Sequence, residues 1–207
     1  MRFRRCGADA VLVELAGASE VDTARAALDE ARQRGELPDL VELLPGARTV
    51  LAAVRPGSRG LDAVRAVLAD TNLTAPPARE AREITLPVRY DGPDLELVAE
   101  TAGLSTTEVA ERHVAGEYTV AFCGFAPGFG YLNGLDAALQ QPRLDTPRTR
   151  VPAGSVGVAG EFTAVYPGAS PGGWRLIGSC DVPLFDPHGQ PPAVLAPGDR
   201  VRFEVRS

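Results

Sequence analysis

Between Gly124 and Gly178 the chain packs 11 glycines and 6 prolines into 55 residues, and six of its twelve aromatic residues fall in the same stretch. On composition alone, that glycine and proline density suggests a low-complexity segment. Disordered segments, however, are poor in aromatics because they have no core in which to bury them. The combination therefore demands an ordered, tightly turning backbone. From Tyr118 onward helical periodicity disappears and short apolar runs take over: Tyr118 to Cys123, Val156 to Ala159, Phe162 to Tyr166, Trp174 to Ile177 and Val201 to Val205. Each is bounded by Gly or Pro, which predicts the strands of a β-barrel or sandwich.

The first 83 or so residues read differently. Phe3 to Cys6 and Ala10 to Leu15 form a strand pair, and Ser19-x-x-Asp22 opens a helix with Val21, Ala24, Leu28 and Ala31 at helical spacing. Gly35 ends it. Val41 to Leu44 and Thr49 to Val54 make a hairpin around Pro45-Gly46, and a second helix runs from about Leu61 to Asp70. The order ββαββα predicts a small α+β sandwich. Polar, Pro-rich Thr74 to Glu80 reads as a linker, so we expect two domains, residues 1–80 and 81–207. The second opens with a strand, Ile84 to Tyr90, and two helices, Asp94 to Ala102 and Thr106 to His113, with a capping box at Ser105-x-x-Glu108. This pair imitates a helix-turn-helix, but its second helix offers Glu108 and Glu111 against one Arg112, which argues against DNA.

All 21 basic residues are Arg, against 27 acidic residues, for a net charge of −6. Without Lys the chain holds no Walker A loop, no Schiff-base amine and no biotin attachment site. The acidic balance argues against a nucleic-acid binder. No run approaches a membrane span and no signal peptide is legible at Met1 to Arg5, so a cytoplasmic location is expected. Cys6, Cys123 and Cys180 are too widely spaced for a disulfide framework or a metal site. His113 ends a helix, where the dipole favours a cation, and His188 sits in a turn. Neither has metal-ligand spacing, and no nucleophile elbow is present.

Three segments within the Gly/Pro-rich stretch are candidates for function. Gly124 to Leu132 places Phe125, Phe129 and Tyr131 on a glycine-rich loop that can line a pocket with aromatic walls or fill the core. Pro142 to Arg150 brings Arg143, Arg148 and Arg150 up to a turn containing Gly154 and Ser155. Arg forks and backbone N–H groups together suit an anion, a carboxylate or a phosphate. Ser170 to Gly178 carries the single Trp174 into a strand, where it stacks on a ligand or is buried.

At these residues the chain becomes recognisable. GFAPGFGYL at 124 to 132, PR-x5-PR-x-R-VPAGSVGVAG through 160, VYPGASPGGWRLIG at 165 to 178 and APGDRVRF at 196 to 203, in this order, resemble the kinase-inhibitor Kip family, also called allophanate hydrolase subunit 1 or the 5-oxoprolinase B subunit (carboxyltransferase domain, subdomains C and D). The resemblance extends through Gly92-Pro93-Asp94-Leu95 and His113 and covers nearly the whole chain. It implies an α+β N-terminal ferredoxin-like domain followed by a mainly-β cyclophilin-like barrel. It further implies one component of an ATP-dependent enzyme opening 5-oxoproline to glutamate, with ATP shared with a partner chain and neither a metal site nor covalent biotin on this chain. The implied partners are a homologue of the 5-oxoprolinase C subunit, of the kinase-A-inhibitor antagonist type, and a LamB/YcsF-type A subunit. Alternatives within the family are a carboxyltransferase component of a biotin-dependent urea carboxylase/allophanate system and a non-catalytic histidine-kinase inhibitor. The chain departs from the family where Ile-Gly-Arg-Thr-Pro is usual, carrying Ser179-Cys180-Asp181 after Gly178, and shortens a glycine loop to Tyr90-Asp91.

Overall fold

Alternation of small apolar residues builds the first unit. In the computed structural model, which describes residues 1–75 and 81–206, strands β1 (Arg2–Cys6), β2 (Ala10–Glu14), β3 (Leu40–Pro45) and β4 (Thr49–Val54) form an antiparallel sheet in the order β1-β2-β4-β3. Val11, Val13, Val50, Ala52 and Val54 fall on one face at the two-residue period of a strand. They pack against Val21, Ala24, Leu28 and Ala31 of α1 (Ala18–Gln33) and Val64 and Leu68 of α2 (Gly60–Asp70). The order β2-α1-β3-β4-α2 supplies five elements of a ferredoxin-like sandwich, and β1 fills the edge position that a sixth, C-terminal strand would take.

Helix α1 starts one residue before the expected Ser19. Gly17 is its N-cap and makes no side-chain bond, while the Glu20 carboxylate accepts from the Ala16 amide at 2.9 Å. Ser19 thus lies inside the first turn instead of capping it. Of the expected linker, residues 76–80 lie outside the described residues.

The second compact unit, Ala81–Ser207, is built on β5 (Glu83–Val88), α3 (Leu95–Ala102), α4 (Thr106–Ala115), β6 (Tyr118–Cys123), β7 (Gly130–Asn133), β8 (Arg148–Val151), β9 (Ser155–Ala159), β10 (Phe162–Val165), β11 (Ser170–Gly172), β12 (Arg175–Ser179) and β13 (Arg200–Val205). Seven strands form one sheet in the order β12-β9-β10-β7-β6-β13-β5, in which β5 and β13 are parallel and the other neighbours antiparallel. Its two edges meet: Arg89, just after β5, and Ser179 exchange backbone hydrogen bonds of 2.9 and 2.8 Å. The sheet is thereby a barrel. A separate ribbon pairs β8 with β11.

Alternation divides the barrel strands between two apolar clusters. Val120, Leu132, Val156, Val158, Val165 and Ile177 fill the interior with Leu86, Val88 and Phe203, and Val98, Ala99 and Val109 of the helices join them. The opposite set, Tyr131, Ala159, Phe162, Ala164 and Leu176, packs with Phe129, Val151, Tyr166 and Trp174 in a second cluster that the β8 segment helps to cover. Both faces of β9 are therefore buried, which is why its five residues are all inaccessible. Gly157 fits closely there, since a Cβ at this position would lie 3.2 Å from Trp174 Cβ and the tryptophan would have to give by a few tenths of an ångström. Helix α4 starts at the expected capping box, Ser105 Oγ accepting from the Glu108 amide at 3.2 Å and the Glu108 carboxylate from the Ser105 amide at 2.8 Å.

His113 is not the helix-terminal cation that its sequence position suggested. It is fully buried in the barrel, its ring 4.4 Å from that of Phe203. Thr163 Oγ1 donates to Gly157 O at 3.1 Å and so accepts from Nε2 at 2.9 Å, leaving Nδ1 to accept from the Tyr90 hydroxyl at 2.7 Å. Burial pushes the His113 pKa down to about 3, so the ring is neutral and serves as core.

Candidate functional site

The loop between β6 and β7 closes on itself through Gly124 N to Phe129 O (3.2 Å) and Phe129 N to Ala126 O (3.0 Å). This closure forces Phe125 into the left-handed region, φ +68°, the one non-glycine residue so placed among the described residues. A bulky residue there is strained by about 1–2 kcal/mol. Its ring is nevertheless 60% exposed, so burial does not offset the strain. Strain held at a largely exposed ring directs attention to the surface that the ring presents.

Phe125 stands over an aromatic cleft of about 120 Å³ lined by Phe129, Tyr131, Arg143, Tyr166, Gly172, Gly173 and Trp174. Phe129 is its centre, edge-on to Phe125 (5.2 Å), Tyr166 (5.2 Å), Trp174 (5.6 Å) and Tyr131 (5.0 Å). Tyr131 stacks in turn on Phe122 at 4.3 Å. Such edge-to-face rings hold one another in fixed orientations, giving the cleft rigid walls. Burial raises the Tyr166 pKa, against the pull of the Trp174 backbone N–H and of the Arg143 and Arg148 charges, so the phenol keeps its proton. The cleft contains no carboxylate and no imidazole. It can bind a small ring bearing a negative charge, but it supplies no general base of its own.

The structure separates the three arginines. Arg143 lines the cleft. Arg148 is held elsewhere: its Nη2 donates to Asp94 Oδ1 at 2.6 Å, and Nη1 lies 3.5 Å from Trp174 O. Asp94, itself buried, also accepts from the Leu176 amide at 2.7 Å. Arg148 therefore positions the Trp174 strand and is not free to meet an anion. Arg150 is exposed and lies outside the cleft lining. The turn at Gly154 and Ser155 does not present its amides as expected, since Gly154 N donates to Tyr166 O at 2.7 Å and Ser155 N to Pro152 O at 3.3 Å. Of the residues singled out from sequence, Phe125, Phe129, Tyr131, Arg143 and Trp174 are brought together. Tyr166, Gly172 and Gly173 join them unanticipated, although all three lie in the Val165 to Gly178 motif.

Two other motifs prove architectural. Gly92 passes so close to β12 that a Cβ would lie 2.3 Å from Leu176 O, which explains the glycine before Pro93-Asp94. Asp199 accepts from the Ala196 amide at 2.8 Å and is clamped by Arg82, fixing the turn into β13. Among the described residues no group of three His, Cys, Asp or Glu side chains is disposed to hold a metal, and no helix is long and apolar enough to cross a membrane.

This barrel, its aromatic cleft and the motifs lining it can be set beside known proteins. The model of the family described as carboxyltransferase domain, subdomain C and D, matches residues 1–195. The chain belongs to this family. As a subdomain C and D protein, it is 41% identical over 210 residues to the 5-oxoprolinase B subunit of Escherichia coli O157:H7, covering 98% of this chain and 96% of that one. The crystal structure of TTHA0988 superimposes with a TM-score of 0.83 at 37% identity, over 96% of this chain but only 40% of that longer one. The Kluyveromyces lactis urea carboxylase shares the fold at 18% identity, with a TM-score of 0.73, over 99% of this chain and 22% of the enzyme. The departure at Ser179 falls at the barrel seam, where Ser179 Oγ donates to Asp91 at 2.8 Å, and not in the cleft lining.

Proposed function

We propose that this chain is the B subunit of an ATP-dependent 5-oxoprolinase and binds the cyclic substrate in the aromatic cleft. The observation that carries this reading is Arg143, a guanidinium set against five aromatic rings in a cleft whose volume suits a ligand well below drug size. 5-Oxoproline is a small flat lactam with one carboxylate: its ring lies against the aromatic wall of the cleft, and its charge meets Arg143. Relatedness to a 5-oxoprolinase B subunit over nearly the full length of both chains supports the same substrate.

The chain does not act alone on this reading. The cleft lacks a base, and the hollow beside it offers one arginine opposite a glutamate, which suits no triphosphate. ATP and the groups that activate the lactam then belong to the partner subunits, namely a homologue of the C subunit plus a LamB/YcsF-type A subunit, or to surfaces shared with them. A carboxyltransferase role draws support from the description of the family and from a fold shared with urea carboxylase at 18% identity, but the relative matched at 41% over nearly both full chains is a 5-oxoprolinase subunit, which favours the first reading.

Co-expression of this chain with its partner subunits tests the proposal. We expect 5-oxoproline-dependent ATP hydrolysis that disappears when this chain is omitted; hydrolysis that persists without it refutes the assignment. Arg143→Ala in the complete complex should raise KM for 5-oxoproline at least about tenfold, the scale of a lost charged hydrogen bond.

A further inference from the structure

Arg143 lines not only the cleft but also a wider hollow of about 740 Å³ beside it, rimmed by Gln140, Gln141, Gly160, Glu161 and Phe162. Among the described residues neither Arg143 nor Glu161 enters an ion pair. The hollow thus presents one free cation and one free anion. Its floor is built: Gln141 is 3% exposed, its Oε1 accepts from Arg175 at 2.5 Å, and its backbone carbonyl accepts from the Gly160 amide at 2.7 Å. That last bond fixes the β9–β10 turn on which Glu161 stands. The adjoining cleft, by contrast, has no acidic side chain.

This pairing matches the charge change in the reaction of the proposed function, on which the inference rests. Hydrolysis of the lactam replaces the ring C–N bond by a C–O bond from water, while a second water converts ATP to ADP and phosphate. The ring carbonyl becomes a second carboxylate, and the nitrogen, a neutral amide before, takes up protons as an ammonium. A lactam offers Glu161 nothing to bind; the opened amino acid offers it a full cation. We propose that cleft and hollow are two stations of one site, the closed ring in the cleft and the zwitterionic amino acid in the hollow. Arg143 holds a carboxylate at both, and Glu161 receives the ammonium created by ring opening.

Calorimetric titration of the assembled complex with 5-oxoproline, glutamate and N-acetylglutamate tests this, the last having both carboxylates and no ammonium. Wild-type complex should bind glutamate more tightly than N-acetylglutamate. Glu161→Gln should weaken glutamate about threefold, the scale of an exposed charge pair, and abolish that preference, while 5-oxoproline binding shifts less than twofold. Arg143→Ala should weaken all three. Equal effects of Glu161→Gln on glutamate and 5-oxoproline, or no wild-type preference for glutamate, overturn the product station. Binding of 5-oxoproline without any binding of glutamate overturns the product station alone, whereas failure of 5-oxoproline to bind the wild-type complex overturns the functional reading beneath it as well.

Discussion

At position 148 the guanidinium is committed to a buried carboxylate, whereas at 143 it faces an open cleft, and the two substitutions separate accordingly. Arg148→Ala leaves Asp94 buried with one partner lost, so we expect a loss of about 2–3 kcal/mol in stability by urea unfolding. Arg143→Ala should leave the unfolding midpoint where it is and affect ligand binding. Phe125 gives the opposite trade. Phe125→Gly relieves the left-handed strain and should raise stability by about 1 kcal/mol while removing the outer wall of the cleft and weakening substrate binding. Phe125→Ala should weaken binding equally with less gain in stability, because alanine keeps the Cβ that the backbone disfavours; equal stabilisation by both variants would count against the strain.

What could be read in advance at the level of elements follows from the range of the interactions that set them. The helices at 18–33, 60–70 and 106–115 were visible because periodicity and the Ser105 capping box act within a few residues. Ser105→Ala should therefore cost about 1 kcal/mol, measurable as a shift in urea midpoint. Strands β7, β8 and β11 escaped because they are three or four residues long and carry Gly, Pro or Arg, with their pairing fixed by remote partners. The aromatic side of the site was legible as a concentration of rings. The fate of the arginines was not, because Asp94 lies 54 residues from Arg148, and neither was the occupation of the Gly154 amide by Tyr166 O. Gly92 was recognised as part of a motif, but only its 2.3 Å approach to Leu176 O gives the reason, and Gly92→Ala should destabilise by more than about 2 kcal/mol through forced displacement of β12.

At the scale of the whole molecule, the buried histidine makes stability depend on acidity. The native pKa of His113 is lowered to about 3 from the ordinary 6.5, so below pH 6.5 the unfolded chain binds a proton that the native barrel refuses. Its contribution is complete above pH 6.5 and is lost as pH falls from 6.5 toward 3, at about 1.4 kcal/mol per pH unit. Urea midpoints at pH 7 and pH 5 should differ by the equivalent of about 2 kcal/mol from this group, and His113→Gln, though less stable at pH 7, should show a flatter dependence. The loss belongs to the unit formed by residues 81–207, since the other unit contains no histidine.

The pairing of β5 with β13 also has a consequence for how the chain folds as it leaves the ribosome. In the first unit β1 and β2 are joined by a short turn, so its sheet can begin to assemble as soon as these two strands have emerged. β5, by contrast, is synthesised more than a hundred residues before its parallel neighbour, and until residues 200–205 appear its edge has only the Arg89–Ser179 bridge to hold it. Until then the nascent barrel is an open sheet with an unpaired strand edge, the kind of species that chaperones protect.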